Sequence, residues 1–183
     1  SLAKRLARDA AWPDFVLAAP PQMSHELVLL QGLTLGYAKG GWVEIAPLIE
    51  AYLPRIRNWA ICDSFVSSLK ISRAYPRQMW ELLHSRLDSG QTYQLRFVAV
   101  MLLNHYLGAE YLAAALQTLA AISDEDYYVK MAVAWAVSAF YLRFPQQTLP
   151  FLRQNSLDDF THNKALQKIG ESRLCDADTK QLL

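Results

Sequence analysis

Apolar residues recur along this chain at three- and four-residue intervals, and nowhere do they alternate strictly with polar ones. That period belongs to helices, and the runs containing Val and Ile sit in segments too long and too rich in Ala and Leu for strands. Punctuation falls at Trp12-Pro13, Pro20-Pro21, Gly40-Gly41, Pro54, Tyr75-Pro76, Ser89-Gly90, Gly108, Ser123-Asp124, Pro145 and Asn155, where helices stop. These breaks cut the chain into about a dozen helices, with no linker, low-complexity tract or charge block among them. The expectation is an all-α fold occupying residues 1–183 as one domain.

Longer apolar helices are predicted to start near His25, Asn58, Tyr93, Tyr127 and Asp159, at separations of 33, 35, 34 and 32 positions. Shorter amphipathic helices fall between them, over Trp42 to Leu53, Pro76 to Leu87, Glu110 to Ile122 and Pro145 to Gln154. A two-helix unit of this period predicts an α-α superhelix, a solenoid in which each pair buries its apolar face on its neighbours. Degenerate repeats with Asp, Lys or Arg on the second helix favour HEAT-like repeats. The second helices then line the concave surface.

The segment Asn58 to Ser72 shows how such a helix divides its faces. Ile61, Phe65 and Leu69, with Cys62 beside them, form the stripe expected to be buried, while Trp59, Asp63, Ser67 and Lys70 share the opposite side. Arg96 and Asn104 interrupt the apolar segment from Tyr93 to Leu107, and Trp135 has small neighbours at Ala132 and Ala139 that leave its ring uncovered. Asp63, Arg96, Lys130 and Lys164 are spaced by 33, 34 and 34, so they occupy equivalent places in successive repeats. Two readings fit that ladder: ion pairs between repeats, with Asp63 on Arg96, or a charged trough that receives a ligand.

Composition narrows the classes. Hydrophobic residues make up 52% and charged residues 19% of the 183, which excludes a disordered chain and asks for extensive burial. The longest apolar runs, Phe97 to Leu103 and Met131 to Val137, fall far short of the roughly 20 residues needed to cross a bilayer. Cys62 and Cys175 have no Cys or His at ligand spacing, so neither zinc nor a disulfide framework is indicated and a reduced, intracellular protein is expected. His25, His84, His105 and His162 likewise lack ligand partners, and no phosphate loop or Ser/His/Asp set is present. Net charge is +1, yet residues 51–100 hold 7 basic and 3 acidic groups, a basic middle between two mildly acidic ends.

Four segments carry a resemblance: Asn58-Trp-Ala-Ile-Cys-Asp-Ser-Phe65, Arg96-Phe-Val-Ala-Val-Met-Leu-Leu103, Tyr127-Tyr-Val-Lys-Met-Ala-Val-Ala-Trp-Ala136 and Asp159-Phe-Thr-His-Asn-Lys-Ala-Leu-Gln-Lys168. In this order and spacing they resemble the AlkD-like DNA alkylation repair family of HEAT-like-repeat DNA glycosylases, and the first is closest to the family's short branch. The resemblance implies excision of N3- or N7-alkylated purines from double-stranded DNA. Asp63 matches the catalytic carboxylate, Trp59 and Trp135 match two tryptophans that pack on the DNA backbone beside the lesion, and Arg96 matches a phosphate-binding arginine. Lys70, Lys130 and Lys164 are the further expected DNA contacts. The implied lesion is sensed from the backbone side, without a base-specific pocket.

A cationic alkylpurine already leaves readily, so the chemistry left to the protein is to stabilise the sugar cation and orient water, which a fixed carboxylate does. Indole faces add cation–π attraction to that charge. No cofactor and no metal are expected, and the partner is alkylated duplex DNA, met by a monomer in the cytoplasm. Longer members of the family begin with additional helices, which this chain is expected to lack. The alternatives are a DNA-binding relative without catalysis and a protein-interaction scaffold.

Overall fold

The computed structural model describes residues 1–174 of the chain. All regular structure among them is helical, as the period predicts, and helix starts fall where capping residues stand. Ser24, Asn58, Asp126 and Asp158 each accept a backbone N–H from the first turn that follows, while Pro76 and Pro145 open helices at a position where no donor is needed. The residues fall into two compact units, Ser1–Phe97 and one beginning at Val98.

In the first unit the helices are α1 (Leu2–Leu6), α2 (Trp12–Leu17), α3 (His25–Tyr37), α4 (Trp42–Tyr52), α5 (Trp59–Ser68), α6 (Ile71–Ala74), α7 (Pro76–His84) and the start of α8 (Thr92–His105). Helices α3 and α5 pack side by side. Gly36 lets the two backbones approach, since a Cβ there would run into Ser68 of α5, and Gly32 leaves room for the Tyr52 side chain of α4, which a Cβ would meet. The Tyr52 hydroxyl is held there by donating to Val28 O at 2.9 Å. Beneath, the Tyr52, Phe65 and Phe97 rings follow one another at centroid distances of 4.8 and 5.9 Å, tying α4, α5 and α8 into one core.

The six-residue α2 is too short to persist alone. Its C-terminal carbonyls are satisfied from outside: Arg55 Nη1 donates to Val16 O at 2.7 Å, Nη2 to Leu17 O at 2.8 Å, and Gln31 Nε2 to Ala18 O at 2.8 Å. A guanidinium there also opposes the negative end of the helix dipole.

The stripe read from the sequence is the one buried, since Ile61, Cys62, Phe65 and Leu69 are all 3% exposed or less. The helix carrying it is shorter than Asn58 to Ser72, however. At Leu69 the backbone leaves the helix with ψ at 76°, and α6 begins two residues later. Ser67 and Ser68 both turn their hydroxyls back onto carbonyls three residues earlier, and such bonding favours non-helical conformations. Lys70 N–H then donates to Gly36 O at 3.3 Å. Leucine spacing persists through this break, so periodicity alone does not reveal it.

The second unit comprises the rest of α8 with α9 (Leu112–Ala121), α10 (Tyr127–Arg143), α11 (Pro145–Arg153) and α12 (Asp159–Glu171). Helix α10 is its axis and packs on α9, α11 and α12. It buries small and branched residues, among them Ala132, Val133, Ala136, Val137 and Phe140. Against it α12 sets Thr161, Ala165 and Ile169, spaced four apart on one face.

Candidate nucleic-acid interface

Asn58 starts α5 by accepting the Ile61 N–H at 3.0 Å. That start places Trp59 at the first helical position and Asp63 one turn on, both turned from the Ile61 and Phe65 face. Trp59 is 50% exposed. Asp63 stands at the rim, its side chain 22% exposed, and receives a two-pronged bond from Arg96: Nε to Oδ1 at 2.9 Å and Nη2 to Oδ2 at 2.7 Å. The arginine side chain is only 7% exposed, between Leu95 and Phe97 of the core. A bidentate pair of this kind fixes the carboxylate plane as well as its position.

Cys62, next to this pair, is fully buried and unbridged, its Sγ 3.9 Å from Tyr93 O. Burial pushes its thiol far up, the Asp63 charge pushes the same way, and Arg96 opposes them. It is a packing residue and not a nucleophile.

The other expected contacts divide. Lys70 falls beyond the end of α5, and its ammonium lies over the Tyr37 ring at 5.6 Å, so it leaves the Trp59–Asp63 face. In the second unit, Lys130 bonds Glu125 at 2.9 Å and sits 3.5 Å from Asp158, with its side chain 17% exposed. The Glu125 bond raises its pKa, desolvation opposes that, and the Asp158 and Glu125 charges add to the rise. Lys164 is half-buried, donates to Gln167 Oε1 at 2.6 Å and lies over the Phe160 ring. Trp135 is 41% exposed on α10, beside the small Ala132 that the sequence reading used.

The structure also accounts for the basic middle of the chain. Arg55 caps α2, Arg96 holds Asp63, Arg77 pairs with Glu81 at 3.3 Å, and Arg86 approaches Glu50 at 3.9 Å. Four of the seven basic groups in that stretch are therefore already engaged by acids or carbonyls of the chain itself.

Sequence reasoning passed over an aromatic group in the second unit. Tyr127, Tyr128 and Phe160 are exposed, with Tyr127 set 5.5 Å from Tyr128 and 6.0 Å from Phe160. Tyr127 and Trp135 are eight residues apart on α10, hence on one face. That spacing, with a second aromatic at the next helix start, was the available signal. Among the described residues no group of three His, Cys, Asp or Glu side chains is placed to hold a metal ion, and no helix is long and apolar enough to cross a membrane.

A helical-repeat protein bearing an exposed indole beside an arginine-anchored carboxylate is the class these observations define. The family model described as DNA alkylation repair enzyme matches residues 2–169. The chain belongs to the DNA alkylation repair family, and that membership supports a role in DNA repair. No curated protein and no solved structure matched it in comparison.

Proposed function

We propose that the chain binds duplex DNA carrying N3- or N7-alkylated purines and hydrolyses their N-glycosidic bond, as a monomeric, cofactor-free cytoplasmic enzyme. The observation that carries this reading is the half-exposed Trp59 one turn from a rim carboxylate that Arg96 holds rigid. The C1′–N bond breaks heterolytically, its electron pair neutralises the purine cation, and C1′ is left electron-poor. Asp63 stabilises that charge and orients the water whose oxygen attacks C1′, the water's surplus proton passing to solvent. Trp59 packs its indole on the sugar and offers its face to the developing cation. In the second unit, Trp135 presents its own indole to the DNA, and Lys164 exchanges its Gln167 bond for a phosphate.

The ion pair gives Arg96 a different task from the expected phosphate clamp: it pre-positions the carboxylate. The same pair also favours a second reading, in which both carboxylate oxygens are spent on Arg96 and the protein recognises damaged duplex without cleaving it. Incubating the protein with duplex containing N7-methylguanine and detecting free base separates the two. Base release supports the glycosylase, whereas tight binding to the lesion duplex with no release above the spontaneous rate leaves the binding protein.

A further inference from the structure

A cleft of about 940 Å³ opens in the first unit where α1, the C-terminal end of α3 and the α5–α6 joint meet. Four cations line it, Lys4, Arg8, Lys39 and Lys70, against a single acid, Asp9. Asp9 is already engaged, its Oδ1 accepting the Ala11 N–H at 2.9 Å. None of the four cations has a carboxylate within ion-pair distance among the described residues. By contrast Arg55, Arg77 and Arg96 of the same unit are each answered by an acid or by carbonyls.

A second observation organises those charges. The ammoniums of Lys4 and Lys70 both lie over the Tyr37 ring, at 5.2 and 5.6 Å from its centroid. The π face of the ring attracts both ammoniums and offsets part of their mutual repulsion, and an anion bound beside them would offset the rest. Three of the four cations are lysines, point charges that suit phosphate oxygens without demanding the planar match of a carboxylate.

We propose that this cleft is a second docking site for the DNA backbone, gripping phosphodiesters away from those beside Trp59 and Asp63; the inference rests on the duplex-binding reading above. Helix α5 runs from one site to the other: ten residues span about 14 Å of axis, roughly four steps of a strand at 3.4 Å each. Lys70, which leaves the Asp63 face, thereby extends the interface along the strand.

The test is the salt dependence of binding to a 20-bp duplex by the full chain and by the double variant Lys4→Gln/Lys70→Gln, with Arg77→Gln/Arg153→Gln, which removes the same two charges at exposed positions outside the cleft, as control. Both lysines are exposed, so the thermal melt should be unchanged; if it is not, Arg8→Gln/Lys39→Gln replaces the pair. The expected result is a log–log slope shallower by about 1.8, the loss of two phosphate contacts, and at least a tenfold weaker affinity at moderate salt. A slope and affinity equal to the Arg77→Gln/Arg153→Gln control would overturn the cleft while leaving the duplex reading intact. Wild type that binds no duplex overturns both. An acidic peptide that displaces DNA from wild type but not from the double variant supports an anion cleft open to DNA, and one that binds there while DNA does not overturns the assignment.

Discussion

Replacing Asp63 by Asn removes one charge and little volume, and the structure gives the cost on two axes. The amide oxygen still accepts one bond from Arg96, but its NH₂ now faces the guanidinium nitrogen that donates at 2.7 Å, so one prong becomes donor against donor. Removing one member of a buried pair costs about 3–5 kcal/mol when both members are fully enclosed. Here the guanidinium is enclosed but the carboxylate is 22% exposed, so water partly replaces it and about 2–3 kcal/mol is the expected loss. For a domain of this size that lowers Tm by roughly 4–12 °C.

On the catalytic axis, losing one preorganised charge at the sugar should slow base release by about 10²–10³. Thermal melting and single-turnover release of N7-methylguanine, measured well below the variant's Tm, give both numbers. Release per folded molecule equal to wild type, alongside the lower Tm, would refute the catalytic assignment and leave the pair purely architectural. An unchanged Tm would refute the energetic account of the pair itself.

Further outcomes can be checked one by one. Trp59→Ala should change stability by about 1 kcal/mol or less, the indole being half exposed, yet cut base release at least tenfold; equal losses in melting and release would make it a packing residue. Gly36→Ala drives a Cβ into Ser68 and should destabilise by about 1–3 kcal/mol, measured in urea; a neutral result would mean α3 and α5 separate without cost. Asp158→Ala removes the cap of α12, whose side chain accepts the Phe160 and Thr161 N–H groups at 3.1 and 3.2 Å, for about 1 kcal/mol. Desolvation pushes the Asp158 pKa up, but the Thr161 hydroxyl, the Thr161 N–H and Lys130 outweigh it and hold the pKa below the ordinary 3.8. Its stabilisation is therefore present above pH 3.8 and lost as pH falls through the depressed folded value, so wild type and variant melting curves should converge in acid and part near neutrality. A constant gap down to pH 2 would refute the linkage.

The helix order and the buried face of α5 were legible because both rest on signals local to the chain: capping residues, N-terminal prolines and four-residue apolar spacing. Asp63 and Arg96 were matched by repeat spacing alone, which left open whether they paired or lined a trough. Distance decides for the pair, and spacing cannot, because it gives equivalence between repeats and not the direction of a side chain. Lys70 shows where the reading failed. The apolar series continues through Leu69 while serine hydroxyls compete for the backbone, and the turn that follows carries the lysine to Tyr37. Arg55 and Arg77 add charge to any count of basic residues, though one is spent on carbonyls and the other on a glutamate. The aromatic group at Tyr127 and Phe160 joins two helix starts in different repeats, a proximity no single segment records.

The joint at Lys70 also bears on how such an array grows. Gly36 O, near the end of α3, is bonded by the backbone of the following repeat and not by its own, and the small side chain of Ser68 supplies the room that Gly36 requires. Donor, acceptor and clearance thus come from two successive copies of the motif. Duplicating or deleting a single copy at this point would bring together ends that were never fitted to each other. Gene-level rearrangement here would have to be followed by compensating changes on both sides of the seam.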